Sequence, residues 1–147
     1  MTSEAFTVVY NKALDLASRR EHSRYELMYK LNKRFSETMP IIEEVLDKLT
    51  LNNILDDERF AEMYLNSRAR KGFGPKRIKY ELSSKGIDDS LSSIIIEDEG
   101  GWQEAAKNAF NKKFKKGIAL EYKDKAKQKN FLQNRGFTFQ EIDSVFS

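Results

Sequence analysis

Apolar residues recur along this chain at helical spacing. Phe60, Ala61, Tyr64 and Leu65 fall at i, i+1, i+4 and i+5, one side of a helix with 3.6 residues per turn. Ile78 and Leu82 repeat four apart, and Leu91, Ile94 and Ile95 mark another apolar stripe. No period-2 alternation of strand type stands out. The run Ile94-Ile95-Ile96 is β-prone by composition but too short to define a sheet.

Polar residues punctuate these stripes where helices start and stop. Asp56 or Asp57 is placed to cap a helix beginning near Glu58, because a carboxylate there accepts from unpaired backbone N–H groups. Gly72 after Lys71 and Gly86 after Lys85 suit left-handed C-terminal caps, and Pro75 suits a first helical turn. Ser23 with Glu26, and Thr138 with Glu141, match the capping box, in which hydroxyl and carboxylate each satisfy the other's backbone N–H. The stretch RKGFGPKRI, Arg70 to Ile78, is therefore predicted to be a corner between two helices.

The pattern repeats. Fifty-one residues after Ala13, Leu14, Arg19, Leu27, Tyr29 and Leu31 stand Tyr64, Leu65, Arg70, Ile78, Tyr80 and Leu82. Fifty residues after Leu82, Lys85, Gly86 and Ile87 stand Leu132, Arg135, Gly136 and Phe137. Ala106, Ala109 and Phe110 match Ala61, Tyr64 and Leu65 at a shorter shift, so a third unit carries about five extra residues around Gly117–Tyr122. The expectation is an all-α chain of three tandem three-helix repeats, at residues 1–55, 56–99 and 100–147.

Charge follows the same period. Residues 59–85 hold eight basic and two acidic side chains, and residues 86–104 hold six acidic and no basic ones. Lys12, Arg19, Arg20, Arg24, Lys30, Lys33 and Arg34 precede an acidic stretch in the first unit, and a lysine-rich segment fills the third. The first two helices of each unit are basic, although the net charge is only +3. Lys76, Arg77 and Tyr80 point away from Ile78 and Leu82 on a helical wheel, a combination able to grip phosphates or a protein partner. Arg68 borders the apolar stripe and needs an anionic partner there; a structural ion pair is favoured over a ligand contact.

The chain has 147 residues, no cysteine and one histidine. Its N-terminus has no basic segment followed by an apolar core, so no secretory signal is expected, and no apolar run is long enough to span a bilayer. A cytoplasmic protein is the expectation. Nothing assembles a catalytic set: His22 reads as a surface or capping-region residue, no cluster has zinc spacing, and helix capping accounts for Asp56-Asp57-Glu58. GFGPKR lacks the spacing of both the Walker loop and the dinucleotide fingerprint. No enzyme activity, cofactor or metal is predicted.

REHSRYELMYKL (Arg20 to Leu31), LDDERFAEMYLNSRARKGFGPKRIKYELSSKGI (Leu55 to Ile87) and FLQNRGFTFQEIDSVF (Phe131 to Phe146) resemble the three units of the RecX family of bacterial recombination regulators. The middle unit carries the most specific likeness. The third is looser, with a longer Gly117–Tyr122 connection. The resemblance implies an elongated, curved array of three-helix repeats. It also implies binding to the RecA recombinase as a filament on DNA, within the filament groove, and modulation of its ATPase and strand-exchange activities, usually inhibition. The partner-binding candidates, chosen from charge and repeat position, are Arg19, Arg20, Arg24, Arg70, Lys71, Lys76, Arg77, Lys113 and Lys115. A monomer with weak nonspecific DNA contact fits this reading. The alternative is a helical DNA-binding module acting without a recombinase, with helix 75–85 as its reading element, against which the acidic third helices would repel the DNA backbone.

Overall fold

A computed structural model describes residues 3–147. Nine helices and no strand occupy them: α1 (Glu4–Arg19), α2 (Arg24–Arg34), α3 (Met39–Leu51), α4 (Asp57–Arg70), α5 (Pro75–Ser84), α6 (Asp89–Glu99), α7 (Trp102–Lys113), α8 (Tyr122–Asn134) and α9 (Phe139–Phe146). The fold is all-α, built from successive sets of three helices. None of the described helices is long and apolar enough to cross a membrane.

The helix ends follow local chemistry. Both capping boxes form: Ser23 Oγ accepts from the Glu26 N–H while Glu26 accepts from the Ser23 N–H, and Thr138 and Glu141 do the same. Asp56 Oδ1 accepts from the Arg59 N–H at 3.1 Å and so caps α4. Asp57 serves elsewhere, accepting from the Arg24 N–H at the start of α2 at 2.8 Å. Gly72 and Gly86 both take positive φ, and Pro75 opens α5.

Contacts divide the chain into two compact units, one running to Glu62 and taking in Lys85–Ile87, the other comprising Met63–Ser84 and Asp88–Ser147. In the first, Val9, Ala13, Leu27, Leu31, Ile42, Val45, Leu46, Leu49 and Leu55 form one core beneath α1, α2 and α3. In the second, Ala106, Phe110, Leu132, Phe137 and Ile142 are buried together under α7, α8 and α9. Burial of such side chains contributes about 25 cal/mol per Å² of apolar surface removed from water and is the main force behind both cores. One sequence expectation needs correction. Ile94 is exposed, and Ser92 is buried beside Ile95 instead. The buried face of α6 is thus rotated toward Ser92 from the stripe through Leu91, Ile94 and Ile95.

A glycine turn recurs in each unit. In the first, Ser23 Oγ donates to the Lys85 carbonyl at 2.7 Å, and Gly86 lies so close to Tyr25 that an added Cβ would sit 2.4 Å from the tyrosine Cβ. In the second, the Gly74 N–H donates to the Arg135 carbonyl at 2.7 Å and the Lys76 N–H to the Gly136 carbonyl at 2.9 Å. Gly74 stands 51 residues after Ser23, and Arg135 stands 50 after Lys85, so donor and acceptor occupy equivalent repeat positions. In both places the turn after a repeat's second helix seats on the start of the preceding repeat's second helix.

Candidate partner-binding site

The corner at Arg70–Ile78 is organised around Phe73. Three guanidinium groups surround its ring: the Cζ atoms of Arg68, Arg77 and Arg135 lie 3.9, 4.5 and 4.7 Å from its centroid. A cation over a ring face is held by the ring's quadrupole, and three around one ring require anions or carbonyls nearby to offset their repulsion. Glu81 supplies the anion. Its carboxylate accepts from Arg68 Nε and Nη2 at 2.8 Å each, from Tyr64 Oη at 3.0 Å and from Arg77 Nε at 3.2 Å. Burial raises the Glu81 carboxyl, but hydrogen bonds from Arg68, Tyr64 and Arg77 outweigh it and hold the group below the ordinary glutamate range. Arg68 is therefore a structural residue, as its place beside the apolar stripe predicted.

Arg135 extends the cluster. It donates to the Lys71 carbonyl at 3.1 Å and lies 5.0 Å from the Phe131 ring centroid. Together with Lys71, Lys112 and Lys113 it lines a recess of about 170 Å³ floored by Gly72, Ala109 and Phe131. Lys113 Nζ stands 5.8 Å from the Phe131 ring. Two sequence candidates, Lys71 and Lys113, thus meet in one place although 42 residues separate them. Sequence reasoning missed Lys112, Arg135 and Phe131 as members. The signal for Arg135 was present, since it occupies the repeat position of Lys85. Four cations around one recess, two of them over the Phe131 ring, make a site for an anion: a phosphodiester or a carboxylate.

The other candidates are placed differently. Lys76 and Arg77 line a second, shallower recess with Tyr80, Gln133, Asn134 and Gly136; Tyr80 is 76% exposed there, and Arg77 donates to the Asn134 carbonyl. Arg70 and Lys115 are exposed. In the first unit, Arg19 pairs with Asp15 at 2.9 Å, Arg20 with Glu26 at 3.2 Å, and Arg24 with Asp47 at 2.8 Å and Glu43 at 3.3 Å. Carboxylates thus offset much of the positive charge of this first set. Glu26 is shared with Lys85 at 3.2 Å. Burial raises its carboxyl, yet the bonds from Arg20, the Ser23 N–H and Lys85 hold it below the usual value.

His22 is buried, 4% exposed, rather than a surface residue. Its Nδ1 lies 3.0 Å from the Arg20 carbonyl and its Nε2 2.9 Å from Lys30 Nζ. An ammonium can only donate, so this arrangement fits a neutral imidazole with its proton on Nδ1. Burial pushes the imidazole below its ordinary value despite the Arg20 carbonyl, and Lys30 is likewise lowered by burial.

Comparison with known proteins agrees with this architecture. Three family profiles match in sequence order: "RecX, first three-helix domain" over residues 10–49, "RecX, second three-helix domain" over 56–93 and "RecX, third three-helix domain" over 102–146. The chain belongs to the RecX family. A regulatory protein RecX of Pseudomonas fluorescens (strain SBW25) is 35% identical over 145 residues, covering 98% of this chain and 93% of the relative. The RecX of Serratia proteamaculans (strain 568) is 36% identical over 158 aligned residues, covering 92% of this chain and 94% of its own. The crystal structure of RecX from Lactobacillus salivarius superposes with a TM-score of 0.81 at 26% identity, covering 96% of this chain and 94% of the other.

Proposed function

We propose that this RecX-family chain is a non-enzymatic regulator of the RecA recombinase. It binds the recombinase as a filament on DNA and lowers its ATPase and strand-exchange activities in recombination and repair. The observation that carries this reading is the match to regulatory RecX proteins along nearly the whole chain. The recess formed by Lys71, Lys112, Lys113 and Arg135 supports it physically, because a filament on DNA presents both carboxylates and phosphates. Several weak contacts made along one filament add to a tight association without any single deep pocket. In this reading the protein acts as a cytoplasmic monomer, and any direct DNA contact is weak and nonspecific.

The test is DNA-dependent ATP hydrolysis and strand exchange by the cognate recombinase, with stoichiometric protein present or absent. Inhibition of both is expected, and no effect on either overturns the proposal. Combined Arg70→Glu, Lys71→Glu and Lys113→Glu, all at exposed positions, should raise the half-maximal inhibitory concentration about tenfold or more at low salt, with the deficit shrinking as salt rises. A triple variant that inhibits like wild type would move the contact surface elsewhere. Tight, sequence-dependent binding to short duplexes without recombinase would favour the DNA-binding module.

A further inference from the structure

The connection between α7 and α8 differs from its counterparts. Residues 20–23 join α1 to α2 and residues 71–74 join α4 to α5, whereas residues 114–121 join α7 to α8, twice the length. The extra chain is not loose. Gln128, on α8 and only 6% exposed, donates from Nε2 to the Gly117 carbonyl and accepts at Oε1 from the Ala119 N–H, both at 3.0 Å. The Gly117 N–H donates back to the Phe114 carbonyl at 3.1 Å, and Gly117 takes φ +84°, a turn that favours glycine. A buried amide has thus been committed to fixing the backbone of an exposed loop.

What the fixed backbone presents is apolar. Leu120 is 98% exposed and Tyr122 87%, with Ile118 beside them at 44%. A single exposed leucine needs no explanation. Two large apolar side chains two residues apart, on a pinned insertion, lose the burial energy that either would gain in a core and gain nothing within this chain. Apolar side chains carried on a backbone already held in place suit an interface, where the cost of ordering the loop has been met before binding. Lys115, Lys116 and Lys123 are exposed around them. Glu121, between Leu120 and Tyr122, and Asp124 are exposed as well, so the surround is of mixed sign with a small cationic excess, which favours a protein surface of mixed charge over a uniformly anionic lipid or nucleic acid backbone.

We infer that the Gly117–Tyr122 loop is a docking finger whose Leu120 and Tyr122 enter an apolar pocket with a rim of mixed charge on a protein partner. The inference rests on the proposed regulatory reading, with the recombinase as that partner. The finger is a second contact, apolar where the Lys71–Lys113 recess is ionic.

The experiment compares wild type with Leu120→Ser/Tyr122→Ser in inhibiting recombinase ATPase at low and high salt. Both side chains are exposed, so equal urea midpoints are expected for the two proteins. The double variant should need about tenfold more protein for half-maximal inhibition at both salt concentrations, because an apolar contact is not screened. A variant that inhibits like an active wild type overturns the finger and leaves the regulatory reading standing. An inert wild type overturns both. Two further results also overturn it: a wild-type dimer in sedimentation that the variant dissociates, or wild-type binding to phosphatidylserine vesicles that the variant loses.

Discussion

Arg68 and Glu81 face each other through two parallel hydrogen bonds of 2.8 Å, Nε to Oε1 and Nη2 to Oε2. Both side chains are mostly shielded, with 19% of each exposed. The pair ties α4 to α5 and carries Tyr64 and Arg77 with it, so it sets the corner on which Phe73 and Arg135 are arranged.

Glu81→Gln keeps the shape but removes the charge that offsets the surrounding guanidinium groups. It should cost about 2–3 kcal/mol in urea unfolding. The folded carboxyl lies below its ordinary value near 4.5. Its stabilisation is therefore complete above that value and is lost as pH falls through the depressed folded value. The variant should lack this acid-side loss. Unfolding of both proteins across the acid range checks the prediction.

Gly136 should tolerate no side chain. Its φ is +98°, and an added Cβ would lie 2.3 Å from the Arg77 Cβ and 2.6 Å from the Arg77 backbone nitrogen. Gly101 also has positive φ, at +70°, but an added Cβ there meets nothing within 4 Å. Gly101→Ala should cost about 1 kcal/mol from backbone conformation alone. Gly136→Ala should cost about 3 kcal/mol or more, because the turn must also back away from α5. Thermal or urea denaturation of the two variants separates the terms.

His22 makes stability fall on mild acidification. Its folded value is depressed below the ordinary 6.5, so between the two values the unfolded chain holds more protons than the folded one. Stability is complete above about 6.5 and declines as pH drops toward the folded value. The facing groups are Arg20, Lys30 and Glu26, and Glu26 titrates only below its own ordinary value of 4.5, so the two windows are distinct. Wild type should lose urea resistance as pH falls below about 6.5, and His22→Gln should show a flatter profile on that acid side. Equal slopes would place the titration elsewhere.

Much of the fold was legible because its determinants are local. The capping boxes at Ser23 and Thr138, the glycine caps at Gly72 and Gly86, and Pro75 each act within a few residues of themselves. Repeat spacing aligned Lys85 with Arg135 before either was seen to lie at equivalent turns. Gly74 carried no such signal: its backbone is ordinary, and its constraint comes from Gly136, whose backbone carbon an added Cβ would approach to 2.5 Å. The buried state of His22 was likewise hidden, since Lys30 and the Arg20 carbonyl enclose it only once α2 has formed.

The sequence by itself determined the helices, their order in sets of three, and membership of the RecX family, because periodicity, caps and motif identity are written along the chain. Tertiary structure alone decided which charges are spent and which remain. Arg24 is drawn to Asp47 and Glu43, and Arg68 to Glu81, while Lys71 and Lys113 converge on one recess with Arg135. Coulomb attraction and desolvation depend on distances through space, and residues far apart in sequence acquire those distances only when their helices pack.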